Sequence, residues 1–218
     1  MIIIGKDGYT DRRKRGTGFY DMTRKNVGTL TPDLPINRFQ PEKRTGLIVV
    51  LTGHGKGKTS SALGMIVRAC GHGLRILMIQ FMKGDFYTGE WDGINKIDCD
   101  VELIHTGMGF CGIQGNPFPR SAHREAAQKA VDLARERISS GSYDMIVLDE
   151  INNALKLHLV DLDQVLELIR LKPPLMHLVL TGRDAHPEVI DLADTVSQVN
   201  EIKHAYRKGI EPQPGIDF

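Results

Sequence analysis

Between Thr52 and Ser61 the chain reads TGHGKGKTSS, and a later segment, YDMIVLDE, ends on Asp149 and Glu150. Three glycines, Gly53, Gly55 and Gly57, let a loop turn its N–H groups inward around an anion. A helix starting near Lys58 would add the positive end of its dipole. In the phosphate-loop pattern G-x-x-x-x-G-K-[ST] the lysine reaches the terminal phosphates and the hydroxyl goes to Mg²⁺. Gly57-Lys58-Thr59 fits the end of that pattern, whereas Thr52 stands where its first glycine is usual. The candidate nucleotide-binding residues are therefore Gly53, His54, Gly55, Lys56, Gly57, Lys58, Thr59 and Ser60, with Lys56 adding positive charge at the rim. Asp149 and Glu150 close an apolar run, the place where ligands gather in open α/β sheets. One carboxylate can orient the shell of Mg²⁺ (or Mn²⁺) while the other ligates the metal or activates water. Thr59, Asp149 and Glu150 form the candidate metal set. Arg183, after another apolar run, either reaches phosphate oxygens or serves a helix cap or surface pair.

These residues need a scaffold that brings distant segments to one edge. Strands are expected at Leu47–Leu51, Leu74–Phe81, Val101–His105, Asp144–Leu148, Met176–Leu180 and Thr195–Val199. Most are continuous apolar runs, as strands buried on both faces require. Helices are expected at Thr59–Gly71, Arg120–Ile138, Asp161–Arg170 and Glu188–Ala193, the last with Pro187 at its start. The alternation predicts a doubly wound α/β domain with a mostly parallel sheet and helices on both faces. Two Gly-rich segments, Met82–Lys96 and Thr106–Pro119, read as long functional loops. Residues 1–45 differ: a basic cluster at 11–15 and several prolines suggest an arm, leaving 46–218 as the domain.

The bulk properties narrow the class. A net charge of +1 over 218 residues gives no global field for nucleic acid or an acidic membrane. No apolar run is long enough to span a bilayer. Cys70, Cys99 and Cys111 cannot all pair within the chain, which favours a reducing cytoplasm over a disulfide scaffold. Residue chemistry alone stops at a Mg-ATP-dependent phosphate-loop protein. A hydrolase with Glu150 as base, a kinase and an alkyl transferase all remain open, as does a non-catalytic nucleotide-binding module.

Further segments go beyond that. Ile79-Gln-Phe-Met-Lys-Gly84, Val147-Leu-Asp-Glu150, Leu180-Thr-Gly-Arg183, Ile190-Asp-Leu-Ala-Asp-Thr-Val196, Lys203-His-Ala-Tyr206 and Gly215-Ile-Asp-Phe218 accompany the loop in order. Together they resemble the phosphate-loop ATP:corrinoid adenosyltransferases of the housekeeping, B12-salvage kind, from Gly46 to Phe218. Thr52 matches that family's variant loop. The resemblance implies a RecA-like P-loop NTPase fold and attack by cob(I)alamin, or by a precursor such as cob(I)yrinic acid a,c-diamide, on the 5′ carbon of ATP, with triphosphate leaving whole. Co(I) is itself the nucleophile, so no base is needed, and Glu150 becomes a metal ligand. Lys58, Glu150 and Phe110 are the catalytic candidates. Met108, Gly109, Phe110, Cys111 and Gly112 form the corrinoid loop, with Gly112 standing where the family has tryptophan. A homodimer and a flavodoxin-type or flavin electron donor are also implied.

Overall fold

The computed structural model describes residues 39–84, 87–109, 111 and 116–218. Of the expected arm, residues 1–38 lie outside that set. Lys43–Phe218 is one compact unit. Six strands, β1 (Ile48–Thr52), β2 (Ile76–Gln80), β3 (Val101–His105), β4 (Met145–Asp149), β5 (His177–Thr181) and β6 (Thr195–Gln198), pair in the order β3-β2-β4-β5-β1-β6. Every pairing is parallel. All six C-terminal ends therefore lie along one edge, which is what the candidate residues require.

The helices are α1 (Lys58–Gly71), α2 (Glu90–Asn95), α3 (Arg120–Ser139), α4 (Ile151–Lys156), α5 (Leu162–Leu171) and α6 (Pro187–Asp191), followed by a 3₁₀ turn, Ala205–Lys208. Alternate residues of each central strand serve different cores. Ile76 and Met78 join Met145, Val147 and Val179 beneath α1, through Ala62, Ile66 and Ala69. Leu77 and Ile79 join Ile146, Leu148, Leu178 and Leu180 beneath α3, α4 and α5. Burial on both faces explains the unbroken apolar runs. The sheet is thus helix-covered on both sides, as the sequence predicts.

Two elements depart from expectation. The segment Met82–Lys96 holds α2, a short helix with Gly93 inside it and little apolar period to betray it. The other, α4, begins directly after β4 because Glu150 adopts a left-handed conformation, φ 65°, that turns the chain at once. The cysteines also depart from expectation: Cys70, at the end of α1, is disulfide-bonded to Cys99, before β3. Cys111 is the free thiol among the described residues.

Candidate active site

The loop between β1 and α1 is shaped by backbone approaching from β6. The Gly55 N–H donates to the Val199 carbonyl at 2.7 Å. A Cβ on Gly53 would lie 2.4 Å from that same carbonyl, and one on Gly55 would lie 2.7 Å from Asn200 backbone. Side chains are sterically excluded at both positions; φ 94° disfavours them a second time at Gly53, and φ 124° disfavours them at Gly57, where the space is open. Thr52 has its own role. Its hydroxyl accepts from the Ala185 N–H at 3.1 Å, tying the end of β1 to the turn after β5.

Lys58 is buried and arches back over the loop, its ammonium donating to the carbonyls of Gly53 at 2.8 Å and Gly55 at 2.9 Å. Burial lowers its pKa; the negative charges of Glu150 and Asp149 oppose that, and Arg183 adds to it. Thr59 donates to Asp149 Oδ1 at 2.9 Å, and the Thr181 hydroxyl donates to the same oxygen at 2.7 Å. Asp149 is fully buried, and burial drives its carboxyl above the ordinary range despite those bonds. Glu150 is pushed up to about 7, first by burial and then by the charge of Asp149, against the pull of Lys58, Lys83 and Arg183. Its Oε2 is buried without a hydrogen-bond partner. The Glu150 N–H, by contrast, is held by Thr181 Oγ1 at 2.9 Å.

The remaining candidates are arranged around this centre. His54 pairs with Asp184 at 3.1 Å. Lys56 is not free at the rim, because Asp217 of the C-terminal segment holds it at 2.7 Å. Ser60 is exposed on the first turn of α1. Arg183 has its backbone N–H fixed by Asn153 of α4, and its charge is felt at both Lys58 and Glu150. It also lines a hollow of about 370 Å³ with His204, Tyr206, Arg207 and Asp217.

Met108 and Gly109 lie at the same sheet edge, beyond β3. A Cβ on Gly84 would fall 2.2 Å from the Gly109 nitrogen, so the loops after β2 and β3 touch through glycine. Asn116 Nδ2 donates to the Met108 carbonyl at 2.9 Å. Cys111 is half-buried against the α3-side core. Phe110 and Gly112 lie outside the described residues. Phe118 is exposed.

A further polar group, not among the candidates above, lies beside Asp149. Gln80, Lys83, Glu90 and Trp91 form a cluster on Asp149: Gln80 Nε2 lies 3.4 Å from Asp149 Oδ2 and 3.1 Å from Glu90 Oε1. Lys83 lies 3.6 Å from the same Glu90 oxygen. In the sequence Gln80 shows only as a polar residue near the end of the run Leu74–Phe81; its place beside the Asp149 strand comes from the fold.

The model of the family described as ATP:corrinoid adenosyltransferase BtuR/CobO/CobP matches residues 44–218. A corrinoid adenosyltransferase of Pseudomonas aeruginosa is 38% identical over 179 residues, 82% of this chain and 87% of its own length. One from Sinorhizobium sp. is 40% identical over 175 residues, 79% of this chain and 80% of its own. One from Escherichia coli K12 is 33% identical over 179 residues, 82% and 89% of the two chains. Among solved structures, a KaiC-like protein from Pyrococcus horikoshii aligns with 74% of this chain and 76% of its own, at 16% identity and a TM-score of 0.43.

Proposed function

Because this chain belongs to the family of ATP:corrinoid adenosyltransferases, we propose that its loop grips ATP as a leaving group while a corrinoid takes the adenosyl carbon. The reaction joins the 5′ carbon of ATP to Co(I), breaks that carbon's bond to oxygen and releases triphosphate. Cobalt supplies both electrons of the new bond, so the protein has no proton to remove. Its tasks are alignment and stabilisation of departing negative charge.

One observation supports this reading above the rest. Lys58 is preset over the loop by the carbonyls of Gly53 and Gly55, and Thr59, the residue after it, is hydrogen-bonded to the Asp149 carboxylate. In this reading the N–H groups of the loop, with Lys58 and Arg183, take the triphosphate. The donor set fits Mg²⁺ (or Mn²⁺). The Thr59 hydroxyl and Asp149 Oδ1 are hard oxygens in mutual contact, and Glu150 Oε2 is buried without a partner. When bound, such a cation neutralises charge developing on the phosphates. In this reading Glu150 would hold the cation as a carboxylate rather than serve as a base for water. The loop around Met108, Gly109 and Cys111, with Phe110 and Gly112, is read as the corrinoid's seat. A homodimer, a flavin or flavodoxin-type donor and a covering role for residues 1–45 complete the reading. Among the described residues no helix is long and apolar enough to cross a membrane.

The test is anaerobic incubation with ATP, Mg²⁺ and chemically reduced corrinoid. A light-sensitive alkyl-cobalt spectrum with intact triphosphate is expected. ADP and phosphate without that spectrum would point to a hydrolase or kinase instead.

A further inference from the structure

Gln80 is completely buried at the end of β2, between two neighbours with which it is in register: His105 of β3 on one side and Asp149 of β4 on the other. Its amide has two ends that differ only in which atoms donate. An indole nitrogen can only donate, and Trp91 Nε1 lies 2.9 Å from the outer end of the amide. That end must be the oxygen. The nitrogen is thereby turned inward, with its two hydrogens available to Glu90 Oε1 at 3.1 Å and Asp149 Oδ2 at 3.4 Å. Trp91 is itself held, its ring stacked on the His105 imidazole at 4.3 Å between centroids and 21° between planes. Glu90 is fixed in turn by Lys83 at 3.6 Å.

The consequence for Asp149 is geometric. Its Oδ1 is taken by the hydroxyls of Thr59 and Thr181, and its Oδ2 is reached by Gln80. An amide flipped end for end would set a carbonyl oxygen against two carboxylates and leave Asp149 Oδ2 without its amide donor, the carboxylate then being held at Oδ1 alone. We propose that Gln80 is a positioning residue for Asp149, and that the Trp91 indole sets its orientation. The inference rests on the reading that Asp149 serves the cation of bound ATP. Groups that hydrogen-bond metal-ligating carboxylates typically change metal affinity by about 10–100-fold when removed. Trp91 is also the single tryptophan of the chain. Its indole is therefore a built-in reporter, one hydrogen-bonded side chain away from Asp149.

The test compares wild type, Gln80→Met and Trp91→Phe, the last removing the indole N–H while keeping an aromatic ring against His105. ATP–Mg²⁺ binding is measured by calorimetry, Mg²⁺ dependence by titrating activity at saturating ATP, and Trp91 emission on adding ATP–Mg²⁺. The expected result has four parts. Wild type binds and its emission changes saturably. Gln80→Met needs about ten-fold more Mg²⁺ for half-maximal activity. The emission change is lost in that variant. Trp91→Phe shifts the Mg²⁺ requirement in the same direction by less. A merely structural role would lower thermal stability and the maximal rate while leaving the Mg²⁺ requirement in place. If wild type binds ATP–Mg²⁺ but its emission stays still, or if both variants keep the wild-type Mg²⁺ dependence, the inference is overturned and the proposed function stands. Failure of wild type to bind ATP–Mg²⁺ at all overturns both.

Discussion

The Thr52 hydroxyl accepts a hydrogen bond from the Ala185 N–H at 3.1 Å, so the position usually held by the first loop glycine ties two strand ends together. Both partners are largely screened from water, and Thr52 is 8% exposed. Thr52→Gly leaves that N–H without its acceptor and loosens the strand end. It is expected to cost about 1–3 kcal/mol in urea unfolding. Thr52→Ser keeps the acceptor and should recover most of the loss.

Lys58 cannot be replaced without emptying the arch over the loop. Lys58→Ala should lower adenosyl transfer at least about 100-fold, the scale on which removal of a single preorganised stabilising donor is felt. Steady-state rates with chemically reduced corrinoid measure it, free of any effect on cobalt reduction. An unchanged rate would remove Lys58 from the phosphate site.

Glu150 predicts a pH dependence with a definite sign. Its folded pKa of about 7 lies above the ordinary value of 4.5. Between those values the folded protein binds the extra proton, so this group's contribution to stability declines as pH rises from about 4.5 to 7. In metal-free buffer, Glu150→Gln should therefore stabilise the protein at pH 8, by about 1–3 kcal/mol. The gain should largely vanish at pH 5, which paired urea titrations will show.

As the proposed cation ligand, the same group would link protons to the metal. A carboxyl that is part protonated near pH 7 must lose its proton to ligate a metal. Apparent Mg²⁺ affinity in the presence of ATP should rise between pH 6 and 8 and flatten above. Glu150→Gln should weaken Mg²⁺ binding and reduce that pH dependence to the part set by the terminal phosphate of ATP, which itself ionises at about pH 6. Calorimetric titrations at three pH values suffice to see it.

Cys70 and Cys99 give a prediction that stands apart from catalysis. Under oxidising conditions a thiol titration of the unfolded chain should find one free thiol, Cys111, and after reduction three. The cross-link spans 29 residues. Its reduction should lower stability by about 2–4 kcal/mol. Thermal melts with and without reductant compare the two states.

Much of this architecture is legible in the sequence because it follows from local pattern. A strand buried on two faces must be apolar throughout, and β2, β4 and β5 sit within two residues of their expected ends. The loop after β1 is legible for a different reason, since its glycines are demanded by backbone shape while Lys58 and Thr59 carry the charge and hydroxyl of a recognisable pattern. Other features escape because their causes are distant in the chain. Lys56 reads as a free charge until Asp217 is brought to it. Cys70 and Cys99 share no motif, and the fold alone sets them together. Gln80 reads as one polar residue inside the run Leu74–Phe81, and its meaning depends on which side of it Trp91 lands. The short α4 is hidden because its start is dictated by one left-handed residue, Glu150, which no apolar period announces.

The carbonyl of Val199 that closes around Gly53 and Gly55 has a consequence in time. Protein synthesis runs from the N-terminus at roughly 5–20 residues per second. The glycines of the loop are therefore made on the order of ten seconds before the wall that shapes them. Until β6 is laid beside β1, the nascent loop lacks the Val199 carbonyl that Gly55 donates to. On the proposed reading of the loop, competence to bind nucleotide is expected late, once β6, the last strand of the described sheet, is in place.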